Sequence, residues 1–160
     1  MKIAIHAVGR MKAGPEKELA DRYLERFARA GPAVGLDFIG VTETPESRAR
    51  DADSRRREEA QKLRALLGDG AALVLLDEKG RNISSEAFSD QIATLRDAGQ
   101  RTLLLAIGGA DGHDPLLREA GAQLLSFGAA TWPHQIVRIM LAEQLYRVST
   151  ILSGHPYHRA

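Results

Sequence analysis

The chain has 160 residues, 44% hydrophobic and 27% charged, with a formal net charge of +1 and no cysteine. That length suits one domain that buries its own core. The lack of cysteine excludes disulfides and thiolate-held metal, and the near-zero net charge removes any bulk signature of a nucleic-acid binder. No run approaches the roughly 18 apolar residues of a membrane span, and the apolar opening, broken by His6, is too short for a signal-peptide core. A cytoplasmic protein with no membrane partner is expected.

In chain order, Lys2–Val8 reads as a buried strand. Pro15 suits a first helical position, and Glu16 and Glu18 suit the positive end of a helix dipole. Leu19, Tyr23 and Phe27 follow at helical spacing until Gly31 and Pro32 stop them. Residues 34–41 read as a second strand, and residues 42–53, polar and holding Pro45, as a loop. Asp53 or Ser54 caps a charged helix ending near Leu67. Within it Arg55, Arg56 and Arg57 run into Glu58 and Glu59, the pattern of a solvated face. Residues 72–76 are continuously apolar, as in a strand covered on both faces, and residues 77–80 turn. Ser84 or Ser85 caps a helix through Leu95. Thr102–Ile107 is another buried strand, followed by the glycine-rich residues 108–112. A short helix from Pro115, a brief strand at 123–127, a loop at 128–133 and a long helix over His134–Leu152 complete the chain.

The alternation predicts an α/β fold, a parallel sheet with helices on both faces, in a single unit over residues 1–160. Ligands of such sheets bind beyond the carboxyl ends of the strands, which directs attention to the loops after Leu76, Ile107 and Phe127. The last helix is apolar on two sides: Val137, Met140, Leu141, Leu145, Val148 and Leu152 on one, Ile139 and Tyr146 on the other. It therefore needs two partners, the second being another subunit or another helix of the same chain.

Three segments carry possible chemistry. Gly108 and Gly109 let a ligand approach the backbone, although no phosphate-loop or dinucleotide pattern is present and an ordinary turn has the same composition. Phe127, Gly128, Ala129, Ala130, Thr131 and Trp132 form a low-profile stretch whose amides can meet an adenine edge; a tight loop before a helix is the plain alternative. The tail gathers His155, Tyr157, His158 and Arg159. Arg159 can hold a phosphate, Tyr157 can stack on a base, and a histidine can move a proton near neutral pH. A metal bridged by the two histidines lacks further ligands, so none is expected. The final quarter is mildly basic, with Arg138, Arg147 and Arg159 against Glu143.

The strings IGGADG, TWPHQIVR, LAEQLYR and HPYHR, in this order and with the last at the C-terminus, together with MKIAIHAVGR and LDEKG, resemble the small ribosomal RNA methyltransferases of the SPOUT superfamily. The nearest type methylates N3 of a pseudouridine in large-subunit (23S) rRNA. The resemblance covers the whole chain and implies a C-terminal trefoil knot, which periodicity does not show and the rarity of knots argues against. It also implies a homodimer, S-adenosyl-L-methionine as methyl donor and the ribosome as partner. Leu76, Gly108, Gly109, Phe127, Gly128, Ala129, Ala130, Thr131 and Trp132 fall where that family binds the cofactor. His155, Tyr157, His158 and Arg159 fall where it places residues needed for activity, reaching toward the partner subunit's cofactor. Arg138, Arg55, Arg56 and Arg57 are candidates for RNA phosphate contact. The loop 127–130 is smaller than the type suggests, so contacts to the cofactor there are expected from backbone rather than from side chains. Two other classes are carried alongside: a ribosome-binding factor without turnover, and a nucleotide-binding regulator of flavodoxin-like shape.

Overall fold

The computed structural model describes residues 1–158, so Arg159 and Ala160 lie outside the described residues. Five strands and five helices alternate: β1 (Lys2–Val8), α1 (Pro15–Ala30), β2 (Asp37–Thr44), α2 (Ala52–Leu66), β3 (Ala72–Asn82), α3 (Ser85–Asp97), β4 (Thr102–Ile107), α4 (Pro115–Glu119), β5 (Gln123–Ser126) and α5 (His134–Leu152). The sheet is parallel throughout, in the order β2-β1-β4-β3-β5.

Four boundaries differ from expectation. Gly31 and Pro32 do not merely stop α1; residues Gly31–Val34 curl into a 3-10 turn closed by Gly35 at φ 74°. β2 therefore begins at Asp37 and runs on to Thr44, which takes residues 42–44 out of the expected loop. The cap of α2 is Asp51 rather than Asp53 or Ser54, because its carboxylate accepts from the Ser54 amide at 2.8 Å and the Ser54 hydroxyl at 2.9 Å. β3 does not end in a turn at residue 77. It bulges and resumes, so that Val74, Leu75 and Leu76 pair with Gln123, Leu124 and Leu125, and then Arg81 and Asn82 pair with Leu125 and Ser126. The bulge presses Gly80 onto β5: a Cβ there would lie 2.6 Å from the Leu125 carbonyl carbon. This re-entrant pairing is compatible with the knot that the resemblance implies.

Strand alternation sorts the core onto two faces. Ile3, Ile5, Leu103, Leu105, Ile107, Val74 and Leu76 meet Phe27 of α1, Phe88 and Ile92 of α3, and Leu141, Leu145 and Val148 of α5. Leu75, Leu104 and Ala106 meet Ala60 and Leu63 of α2 and Leu117 of α4 on the other face. The second side of α5 has a partner within the chain: Tyr146 lies 6.3 Å from Tyr23 of α1, ring centre to ring centre, and Gln144 accepts from Ser85 of α3 at 2.8 Å. Among the described residues no helix is long and apolar enough to cross a membrane.

Candidate active site

The carboxyl ends of β3, β4 and β5 open into a cavity of about 470 Å³, within the size range of small-molecule sites. Of the nine positions expected at a cofactor, Leu76, Gly108, Gly109, Phe127, Gly128, Ala130, Thr131 and Trp132 line it, and Ala129, exposed, does not. Trp132 is 43% exposed at its edge. Gly112 and Gly128 hold left-handed φ values of 78° and 116°, which glycine adopts without strain. At Gly109 an added Cβ would lie 2.7 Å from the Glu59 carboxylate, so that side chain would have to shift.

The cavity also holds charged groups that sequence reasoning passed over. The Asp77 side chain, 8% exposed, accepts from Arg118 at 2.6 Å and from the Lys79 amide at 2.9 Å. Burial works against its ionisation, but the Lys79 amide and Arg118 outweigh it and keep the carboxyl below its usual range. His113 is pushed down by burial, so its ring is neutral at pH 7; its Nε2 lies 3.2 Å from the Leu76 carbonyl. The one available signal was position: Asp77 directly follows a buried run at a strand's carboxyl end.

The first turns of α2 hold the glycine loop. Arg55 donates from Nε and Nη2 to the two Asp111 carboxylate oxygens at 2.6 and 3.0 Å, and Arg56 donates to the Asp111 carbonyl at 3.3 Å. Arg56 also pairs with Asp53, and Arg57 donates to the Asp53 carbonyl at 3.3 Å. The expected solvated face is thus tied to the protein. The Arg55 fork holds the Asp111 carboxyl below its ordinary range.

Arg138, expected on a phosphate, is 9% exposed. It donates to the Gly9 carbonyl at 2.5 Å and the Val8 carbonyl at 3.4 Å, and it pairs with Glu43. It fixes the end of β1 and has no free face for RNA. Burial opposes the charge on Glu43, but the Met11 amide and Arg138 more than offset it and lower its pKa.

Among the described residues of the tail, 153–158, none lines this chain's own cavity. The Tyr157 hydroxyl donates to Glu143 at 3.0 Å, its ring centre is 4.8 Å from that of Tyr146, and the Arg147 guanidinium lies 4.9 Å over it. His158 sits 2.8 Å from Glu86 of α3, and His155 is exposed. Glu143 is nine residues beyond His134, roughly 14 Å along the axis of α5 at 1.5 Å per residue. Tyr157 is held protonated, its pKa raised by burial and then by its bonds to Tyr23 and Glu143. Arg159 lies outside the described residues.

A family model described as "Predicted SPOUT methyltransferase" matches residues 1–158. A Mesorhizobium japonicum protein named ribosomal RNA large subunit methyltransferase H is 64% identical, over 100% of both chains. Proteins of the same name from Rhizobium meliloti and Brucella anthropi are 62% and 58% identical over the same full span. Among solved structures, the SpoU methyltransferase AviRb from Streptomyces viridochromogenes, in complex with AdoMet, aligns over 92% of this chain and 59% of its own. The TM-score is 0.35 and the identity 16%.

Proposed function

Because the chain belongs to the SPOUT methyltransferase family, we propose that it transfers a methyl group from S-adenosyl-L-methionine to N3 of a pseudouridine in large-subunit rRNA. It acts as a cytoplasmic homodimer on the assembled ribosome. The observation that carries this reading is the cavity walled by three loops at the strand ends, open at its glycines and alanines. The residues present fit the cofactor. Leu76, Ile107, Val137 and Trp132 supply apolar surface, Asp77 supplies a carboxylate, and small residues over 128–131 leave backbone groups accessible to a heterocycle edge.

The bound cofactor supplies a methyl carbon already made electrophilic by its sulfonium. The chain's own contribution is alignment of the nucleophile and exclusion of water. N3 of a uracil-like ring carries a proton at neutral pH and must lose it before it can attack. Tyr157, held protonated and bonded to Glu143, is no base. His155 or His158 takes the proton, and Arg159 stabilises the developing anion. Since none of residues 153–158 lines its own cavity, the tail serves the cavity of the partner subunit.

The test is transfer of a labelled methyl group to ribosomes lacking the modification, beside naked rRNA, with the product nucleoside identified. Label at N3 of a pseudouridine in ribosomes alone is expected. No label on either substrate from folded protein would remove the enzyme reading and put the binding factor first.

A further inference from the structure

The rim where the parallel strands end has two halves. β4, β3 and β5 carry the cavity. β1 and β2 end about 5 and 10 Å further along at the usual spacing of strands, and they lead into residues 9–12 and 45–57. These two segments hold seven arginines and lysines (10, 12, 48, 50, 55, 56 and 57) against three acids, Glu46, Asp51 and Asp53, a net +4 in a chain whose total is +1.

The structure separates the seven into two sets. Arg55 pairs with Asp111, Arg56 bonds the Asp111 carbonyl and pairs with Asp53, and Arg57 bonds the Asp53 carbonyl of its own helix. Arg10, Lys12, Arg48 and Arg50 are exposed and make no ion pair among the described residues. Their backbone is nevertheless fixed. The Gly9 amide donates to the Thr44 carbonyl at 2.8 Å, and the Met11 amide to Glu43 at 2.9 Å. The Ser47 amide donates to buried Glu59 at 2.9 Å, and its hydroxyl to Glu58 at 2.5 Å. Arg55 holds the Ala49 and Arg50 carbonyls at 3.1 and 3.2 Å with the guanidinium that also grips Asp111. Four cations with no internal partner, on an ordered backbone beside the cavity mouth, suit a polyanion laid along the rim.

We propose that Arg10, Lys12, Arg48 and Arg50 are the phosphate-contacting surface through which the protein docks on ribosomal RNA, and that Arg55 is a positioning residue tying this surface to the cavity's glycine loop. The proposal rests on the methyltransferase reading above. An acidic ribosomal protein is the competing occupant.

The experiment measures the KM for ribosomes, its dependence on salt, and the Kd for S-adenosylhomocysteine in four proteins: wild type, Arg10→Ala/Lys12→Ala, Arg48→Ala/Arg50→Ala and Arg55→Lys. Each double variant is expected to raise the ribosome KM about tenfold and to flatten the slope of log KM against log salt by about 2, at close to one unit per lost phosphate contact. The Kd for S-adenosylhomocysteine stays unchanged in both. Arg55→Lys keeps the charge but loses the two-pronged grip on Asp111. It weakens S-adenosylhomocysteine about tenfold, a 1.4 kcal/mol effect, and raises ribosome KM by loosening the Arg48–Arg50 segment, while the salt slope, which counts phosphate contacts, stays as in the wild type. Double variants with wild-type KM and slope overturn the surface. Arg55→Lys with an altered salt slope and an unaltered Kd overturns the positioning role. Double variants that weaken binding to ribosomes but bind a 23S rRNA fragment like wild type assign the rim to a protein instead. Should the wild type transfer no methyl group, the methyltransferase reading falls by itself, and sedimentation of the same variants with ribosomes across a salt series still decides the surface.

Discussion

At Gly80 a single added methyl group would meet backbone atoms that cannot move aside independently. A Cβ there would lie 2.6 Å from the Leu125 carbonyl carbon, 2.8 Å from the Leu125 nitrogen and 2.9 Å from the Leu124 carbonyl carbon. All three are backbone atoms of β5, so no rotamer change relieves the clash. Ordinary contact begins at 3.4 Å, so the two segments must separate by about 0.8 Å in Gly80→Ala. The pairs on both sides, Leu76 with Leu125 and Arg81 with Leu125, lie inside the displaced stretch. Overpacking of this kind costs about 1–3 kcal/mol, and one weakened ladder bond adds about 1. A loss of about 2–4 kcal/mol corresponds to a fall in Tm of about 5–15 °C for a chain of this length. β5 leads directly into Phe127 and Gly128 of the cavity, so affinity for S-adenosylhomocysteine falls as well. The assay is thermal unfolding at fixed protein concentration, with calorimetric titration of S-adenosylhomocysteine. The control is Gly68→Ala, where nothing lies within 4 Å and φ is not left-handed; it should be neutral or slightly stabilising. Gly80→Ala with a Tm within about 1 °C of wild type would show that β3 and β5 are not in the close contact described.

Two further predictions follow from the buried histidine and the tail. Burial lowers the His6 pKa from 6.5 to about 4, with His113 and Arg138 adding to the effect. The unfolded chain takes up this proton near 6.5 and the folded one does not until about 4, so stability is complete above 6.5 and falls as pH drops through that window, by about 3 kcal/mol in all. Urea unfolding at pH 7 and 4.5 should show His6→Gln losing less with acid than the wild type; parallel losses would refute the assignment. For the tail, Arg159→Ala is mixed with Ala130→Trp, which fills the cavity. If each tail serves the partner's cavity, the mixture recovers about a quarter of wild-type methyl transfer, because half the dimers then carry one intact pair. No recovery means that tail and cavity work within one chain.

The parts of the fold legible in the sequence were those where one physical signal dominates. Residues 102–107 are five-sixths buried and wholly embedded between β1 and β3, so an unbroken apolar run was enough to place β4. The loops that wall the cavity were legible for a related reason: a parallel sheet brings every strand's carboxyl end to one edge. Boundaries failed where two local signals competed. Asp51, Asp53 and Ser54 are all good caps, and the choice of Asp51 depends on a reach to Ser54 that spacing cannot rank. Val34 looks as ready for the start of a strand as for the end of the turn it forms, and the turn prevails because Pro32 offers no amide while Gly35 closes it at positive φ. The bulge at Gly80 left no mark, since Asp77 to Gly80 has the composition of a plain turn.

Charge was the property least legible along the chain, and the reason bears on the reading of RNA-binding surfaces. The final quarter looked basic because Arg138, Arg147 and Arg159 outnumber Glu143. In the fold Arg138 is matched by Glu43, 95 residues away, and Arg147 by Glu143 one helical turn away. Arg55 is matched by Asp111, 56 residues away. Each pairing removes a cation that a linear count would offer to phosphate, and two of the three partners lie far outside any sequence window. Arg10, Lys12, Arg48 and Arg50, on the neighbouring strand ends, make no ion pair among the described residues and lie in segments whose local composition is mixed. A polyanion responds to cations that are unpaired and share one surface. In this chain those cations are gathered by the adjacency of β1 and β2, not by their neighbours in sequence.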